Sequence, residues 1–390
     1  MRVVDLQGSA YERGRQQGEQ LRTEYQRLLD TFLGSDLWRE NRPWFITDRL
    51  AKGVFGVLGV THIQRAVEKH LPTQAARIEG LAEGLGIRRS LAWGLQFLEI
   101  MFCEAGQGLK VPGGCTQLHA APAATANGTP LSGRNYDFPN LLRDFQVVRR
   151  DLPSEPDRLA TTTATQVPLA GCHQGINAAG LMVAANNARL FKGRDFHTRG
   201  VPYMLLMLEI LETCRTAAGA TEVLRSFPYR TNAGFFGIVD QAGDCRVVEF
   251  TASRSAVRVP NEAGVLAQTN HFHLLEDANL PDGTFWTVEG MAGLEYAAST
   301  KPRFEVADRL LREHSGTIDV ATLQRILRDH SYNDGEGSDS TVCCHGASGS
   351  TLASFIVDVA SRSMWVCEGA PCECEYDEIP FRWRDEVPST

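Results

Sequence analysis

The 390-residue sequence has no apolar run near the roughly 20 residues that a membrane-spanning helix needs, so no transmembrane helix is expected. It has no dense basic run either. Its 39 Lys and Arg face 47 Asp and Glu for a net charge of −8, which removes the electrostatic footprint of a nucleic-acid binder. The opening MRVVDLQGSAYERGRQQGEQLR lacks the apolar core of a secretory signal. Fixed-period repeats and low-complexity linkers are missing. So is any Cys-x-x-Cys pair among the ten cysteines, which leaves the loose group Cys367, Cys372 and Cys374 without zinc-ligand spacing. His271 and His273 signal no third ligand, and the acidic loop Asp334–Asp339 lacks EF-hand spacing, so no metal is expected. These absences fit a cytoplasmic protein with reduced thiols. Cys343 and Cys344, being adjacent, should face opposite sides of a strand rather than form a disulfide.

What is present is ordinary globular composition, 43% hydrophobic and 22% charged, enough for one large domain or two smaller ones. Helical texture runs over about Tyr11–Leu33, Thr73–Leu85 closing at Gly86, a stretch after Ser90, Val201–Cys214, Thr221–Ser226, Lys301–Glu313, and Ile318–Asp329 with Thr317 as its cap. Leu109–Gly114, with one Pro and two Gly, reads as an exposed loop. Strand signals begin at Cys115–Ala120, turn at Asn127-Gly128 and return over Thr129–Phe138. Further hairpins pair Phe235–Asp240 with Cys245–Thr251, and Ser354–Asp358 with Met364–Cys367. Hairpins interleaved with runs of helices predict an α+β architecture of mainly antiparallel sheets.

If Asn127 and Gly128 are the turn, residues 115–118 lie opposite 137–140, give or take a bulge. Cys115 then lies beside Gly133-Arg134-Asn135-Tyr136-Asp137-Phe138, and a thiol, a guanidinium and a carboxylate meet at one sheet end. A cationic neighbour lowers a thiol pKa, so Arg134 can favour the nucleophilic thiolate. If Cys115 headed a mature chain, its own α-amine, with an unperturbed pKa of about 7.7–8.0, would serve as base. Asp137 would then orient the protonated amine. The plainer alternative is a structural cysteine at a strand start and an ordinary ion pair.

The segments GGCTQL and GRNYDF resemble the acyl-coenzyme A:6-aminopenicillanic acid acyltransferase family of N-terminal nucleophile hydrolases, whose GRNYD-type pattern bile salt hydrolases and penicillin V acylases share. GSAYERGRQQGEQL, IEGLAEGLGI, GINAAGLMVAANN, AQTNHF and WVCEGAPC follow the family's order, so the resemblance covers nearly the whole chain. It implies a four-layer αββα fold of two antiparallel sheets and self-cleavage between Gly114 and Cys115. The products would be residues 1–114 and 115–390, remaining associated around one core. It implies Cys115 as nucleophile, Arg134 and Asp137 as catalytic partners, and Asn270 as a residue setting the catalytic geometry or the oxyanion site. Asn187 would be the oxyanion donor, with Asn186 as the other reading of that alignment. Tyr136, Phe138, His271 and Cys344 are expected near substrate. One departure is Val342-Cys343-Cys344-His345, where many relatives read ICRH, so Cys344 stands where Arg is expected. Trp38, Trp44 and Phe45 are candidates for an acyl pocket or for core packing.

The expected activity is hydrolysis of a linear amide, or transfer of its acyl group to an amine, through a Cys115 thioester. No cofactor is needed, although acyl-coenzyme A is a candidate co-substrate. The expected partners are a small-molecule substrate and the cleaved N-terminal fragment, with a homo-oligomer left open. The rival readings are an unprocessed small-molecule-binding relative and an internal-cysteine peptidase. The second needs a His aimed at Cys115. His119 shares its strand face but sits roughly 13 Å away by strand rise.

Overall fold

The structure is a computed structural model that describes residues 1–41, 47–103, 114–188, 190, 195–284, 296–346 and 349–381. The strands are β1 (Arg2–Gly8), β2 (Cys115–Ala120), β3 (Leu131–Pro139), β4 (Gln146–Pro153), β5 (Thr161–Gln166), β6 (Gln174–Asn177), β7 (Met182–Asn187), β8 (Gly234–Val239), β9 (Cys245–Phe250), β10 (Ser255–Arg258), β11 (Val265–Gln268), β12 (Gly349–Asp358), β13 (Ser363–Glu368) and β14 (Asp377–Ile379). The helices are α1 (Ala10–Gln20), α2 (Arg22–Gly34), α3 (Asp36–Asn41), α4 (Asp48–Gly59), α5 (Arg65–His70), α6 (Pro72–Leu85), α7 (Arg89–Cys103), α8 (Tyr203–Thr213), α9 (Ala217–Ser226), α10 (Tyr296–Glu313) and α11 (Val320–Leu327). None of them is long and apolar enough to cross a membrane.

One sheet runs β1-β4-β5-β6-β7-β8-β9-β10 and the other β11-β2-β3-β12-β13-β14. Every pairing is antiparallel except β1 with β4. The facing sides of the sheets share a core that includes Tyr136, Phe355, Val148 and Met182. Helices α6, α7 and α8 bury apolar residues against the outer side of the first sheet. Helices α10 and α11 do the same on the second. The expected αββα sandwich is therefore the observed one, with each sheet apolar on both faces because each has a layer on both sides.

The IEGLAEGLGI and GSAYERGRQQGEQL segments have a mechanical reason for their glycines. A Cβ at Gly80 would lie 2.0 Å from the Tyr11 carbonyl oxygen, and one at Gly14 2.0 Å from that of Arg77. Helices α1 and α6 thus touch backbone to backbone, a separation that any side chain at the crossing would forbid. Under that crossing lies a charge cluster with no solvent access: Arg13, Arg77, Arg149, Asp151 and Glu212. Glu212 accepts from Arg13 at 2.6 Å, and Arg77 donates to Asp151. Burial alone would raise the Asp151 pKa, but Arg77, Arg149 and Arg13 together hold it below the ordinary value. The cluster ties residues ahead of Cys115 to β4 and α8 behind it, and β1 adds a strand to the same sheet.

Two local expectations change. Cys115 pairs with Tyr136, not with a residue near 140, because the β2–β3 connection is longer than a two-residue turn. Pro122 has no N–H for the ladder and starts a short 3-10 turn, and Thr125 bridges to Ile318 before Gly128 turns the chain at φ 71°. Helix α11 is capped by Asp319, whose carboxylate accepts from the Thr322 N–H at 2.7 Å, rather than by Thr317. The expected loop at Leu109–Gly114 lies outside the described residues except for Gly114.

Replacing Glu212 with Ala removes one of the two buried carboxylates that Arg13 and Arg77 share and leaves Asp151 alone to offset them. Denaturant unfolding should show a loss of about 3–5 kcal/mol. An unchanged midpoint would mean that the cluster contributes no net stability.

Candidate active site

Cys115 opens β2 and is 3% exposed. Its backbone is gripped at both ends. The Cys115 N–H donates to Asn270 Oδ1 at 2.9 Å. Its carbonyl accepts from Asn186 Nδ2 at 3.1 Å and from Arg303 Nη1 at 3.0 Å. Arg303 also donates to Thr116 Oγ1 at 3.2 Å and to Asn270 Oδ1 at 3.0 Å, locking the two holders together. This pinned guanidinium explains a small residue at position 114. A Cβ on Gly114 would stand 2.7 Å from Arg303 Nη2 and push it off the Cys115 carbonyl.

Side-chain alternation along β3 puts Arg134 and Asp137 on opposite faces, so they flank Cys115 from two sides. Facing the other sheet, Arg134 donates to Cys115 Sγ at 3.4 Å, to Asn186 Oδ1 at 3.2 Å and to His173 Nδ1 at 3.0 Å. The Arg134 guanidinium also lies 5.0 Å from the Tyr136 ring centre, and Tyr136 stacks on His173 at 4.3 Å. Facing the helices, Asp137 Oδ1 accepts from Thr351 Oγ1 at 2.7 Å while Oδ2 is buried with no partner. The register of β12 slips between Thr351 and Ala353 at this point, and that bulge aims Thr351 at the carboxylate.

Burial dominates the titration here. It pushes the Asp137 pKa up to about 6 against the pull of Arg303, Thr351 and Arg134. It pushes the Cys115 thiol up as well, with Arg134 opposing and the Asp137 charge adding to the rise. A buried carboxylate oxygen without a partner is a ready acceptor for a hydrogen-bond donor.

The expected site residues separate into four groups. Cys115, Arg134, Asp137 and Asn270 converge. Asn186 is consumed by structure: its Oδ1 accepts from Gln117 and Arg134, and its Nδ2 donates to the carbonyls of Cys115, Gln268 and Thr269. Asn187, whose carbonyl accepts from Asn270 Nδ2 at 2.8 Å, instead lines a cavity together with Tyr136 and Phe138. His271 and Cys344, expected near substrate, do not line it. His271 packs against His273 and Phe304 and meets Thr300 Oγ1 at 3.0 Å, and burial drops its pKa to about 4. Cys344 is buried near Asp339, where it feels Arg303. Arg303, which no sequence motif singles out, thus brings a cation to the surroundings of Cys344. It stands in an ordinary amphipathic helix, so no local signal marks it.

The cavity encloses about 990 Å³ including its open mouth. Its wall is mostly apolar, with Tyr25, Leu29, Phe32 and Phe55 from α2 and α4, both ahead of Cys115 in the chain. Trp38 does not line it but packs behind Phe32 at 5.5 Å and Phe55 at 6.3 Å between ring centres. Trp44 and Phe45 lie outside the described residues.

Among the described histidines, none bonds Cys115 Sγ. His173, which meets the same guanidinium as Cys115, spends Nδ1 on Arg134 and Nε2 on Gln146 Oε1 at 3.0 Å. His119 bonds Ser132 and Gln117, and burial drops its pKa to about 3.

A family model described as acyl-coenzyme A:6-aminopenicillanic acid acyl-transferase matches residues 124–373. The chain belongs to that family. It is accordingly an enzyme of the amide hydrolase and acyltransferase class. The matched stretch holds Arg134, Asp137, Asn187 and Asn270 and begins beyond Cys115. No curated protein matches the sequence. Solved structures that resemble this family member include the following three. A Caenorhabditis elegans ortholog of N-acylethanolamine-hydrolyzing acid amidase is 14% identical, covering 63% of this chain and 93% of its own at a TM-score of 0.44. A conjugated bile acid hydrolase from Clostridium perfringens is 18% identical, covering 68% and 92% at 0.41. Penicillin V acylase from Agrobacterium tumefaciens is 15% identical, covering 65% and 83% at 0.38.

The two charges flanking Cys115 should move its reactivity in opposite directions. Arg134→Gln should shift the pH midpoint of Cys115 alkylation, followed by peptide mass spectrometry, upward by about one to three units, and Asp137→Asn should shift it downward. Equal midpoints in both variants would contradict the electrostatic description.

Proposed function

We propose that this family member is a self-processing N-terminal nucleophile enzyme that breaks a linear amide through a thioester on Cys115. The convergence of Asn270 on the Cys115 nitrogen, Arg134 on its sulfur and the unpartnered Asp137 oxygen is the observation that supports this reading. In the precursor, Cys115 Sγ attacks the Gly114 carbonyl and the peptide bond breaks as the thioester forms. Water then hydrolyses the thioester, leaving a Gly114 carboxylate and a free Cys115 amine.

In the mature enzyme that amine takes the thiol proton as the sulfur attacks the substrate carbonyl. Asp137 Oδ2 accepts from the resulting ammonium. Arg134 stabilises the thiolate before attack and Asn187 donates to the developing oxyanion. The ammonium returns its proton to the leaving amine, and the acyl group stays on Cys115. Water completes hydrolysis, whereas a bound amine completes transfer. The apolar cavity beside Asn187 and Tyr136 favours an apolar acyl group, and its walls from α2 and α4 require that the 1–114 fragment stay bound after cleavage.

Denaturing mass analysis of the purified protein should give fragments 1–114 and 115–390, with a single full-length chain for Cys115→Ala. A single uncut wild-type chain that is still active on amides would favour an internal-cysteine enzyme, and one without activity a binding protein. In the processed enzyme, Asn187→Ala should lower kcat by about 10²–10³-fold.

A further inference from the structure

On the far side of β12 from the cavity, four side chains bring sulfur and nitrogen atoms together. His330 follows α11, Cys343 and His345 sit in the connection entering β12, and Cys372 lies in the turn beyond β13. One ligating atom from each falls within 4.8 Å of the other three. Cys343 Sγ and Cys372 Sγ are 3.6 Å apart. His345 Nε2 is 3.3 Å from Cys343 Sγ and 3.2 Å from Cys372 Sγ. A tetrahedral zinc with Zn–S of about 2.3 Å and Zn–N of about 2.0–2.1 Å separates its sulfurs by about 3.8 Å and its sulfur–nitrogen pairs by about 3.5 Å. The four side chains are thus spaced close to a coordination polyhedron.

Two observations point to a ligand at its centre. His330 Nε2 is buried without a hydrogen-bond partner, an arrangement that costs free energy unless something else accepts its lone pair or proton. The ring of His345 is also held close by backbone: a Cβ on Gly337 would stand 2.4 Å from its Cδ2. Its other nitrogen, Nδ1, faces Glu373 Oε1 at 3.9 Å, the type of carboxylate that orients metal-bound imidazoles.

We infer that His330, Cys343, His345 and Cys372 form a structural site for zinc or another thiophilic divalent cation. Two Zn–S and two Zn–N bonds form, and two thiol protons leave to solvent, so the site carries no net charge. Cys372 is exposed, which gives the ion an entry path.

With four protein ligands the site is closed and has no open position for chemistry. Its effect is to pin the 343–345 connection. Cys344 in that connection donates its N–H to Thr351 Oγ1 at 3.0 Å, the hydroxyl that bonds Asp137. The inference does not depend on the proposed reaction.

The test uses the full wild-type chain, expressed with added zinc salt and purified under reducing conditions. Elemental analysis should find about one zinc per chain. Cobalt(II) substitution should give the visible bands of a tetrahedral thiolate site, and bound metal should protect Cys343 and Cys372 from alkylation until a chelator is added. The Cys343→Ser/Cys372→Ser variant should drop to no bound zinc. A wild-type chain with reduced thiols and no zinc would overturn the inference, as would a Cys343–Cys372 disulfide in the purified protein. So would stoichiometric zinc retained by the double variant.

Discussion

The site rests on how the Cys115 backbone is held. An amide N–H held by Asn270 and a carbonyl held by Asn186 and Arg303 fix the backbone of the residue at both ends. The holders come from three separate parts of the chain, β7, the segment after β11, and α10, so the grip exists only once both sheets and the helical layer have assembled. A reactive group held this way needs no reorganisation when it meets a carbonyl, and that is where much of the advantage of a prebuilt site lies.

The same grip has an electrostatic cost. Arg134, Arg303, Asp137 and Cys115 are all buried, and burying ionisable groups is unfavourable unless they satisfy one another. Arg134 and Arg303 do so through networks of neutral acceptors. Asp137 has Thr351 on one oxygen and no partner on the other, and burial outweighs the pull of Arg303, Thr351 and Arg134, so its pKa rises to about 6. In the proposed mechanism the free α-amine of Cys115 supplies the missing counter-charge, so this unfavourable feature of the folded chain becomes an orienting one after cleavage.

Much of this was legible in local sequence. The GRNYDF segment beside a strand opening at Cys115 predicts a thiol flanked by Arg134 and Asp137, since alternation and hairpin pairing act over short distances. The register itself was not, because Pro122 and the Thr125 bridge to Ile318 lengthen the connection in a way no turn dipeptide signals. Arg303 was invisible for a different reason. In KPRFEVADRLLRE nothing distinguishes it from neighbouring surface arginines, and its role appears only when α10 packs on β2. The quartet of His330, Cys343, His345 and Cys372 likewise lacks a ligand-pair spacing, because β12 and β13 intervene between its members. Strand alternation separates the two readings Asn186 and Asn187: the first faces the interior, the second the cavity.

The glycine-faced crossing of α1 with α6 and the buried charge cluster beneath it commit the first part of the chain to the same body as the rest, and α2 and α4 in that part wall the cavity. The central claim is that Cys115 carries the acyl group. It is tested most directly by mixing the enzyme with an excess of a chromogenic amide, quenching with acid within one turnover and mapping the peptides by mass spectrometry. The acyl mass is expected on a peptide whose first residue is Cys115. Product release with an acyl group on any other residue, or with no acyl-enzyme and an unmodified, internal Cys115, would contradict it.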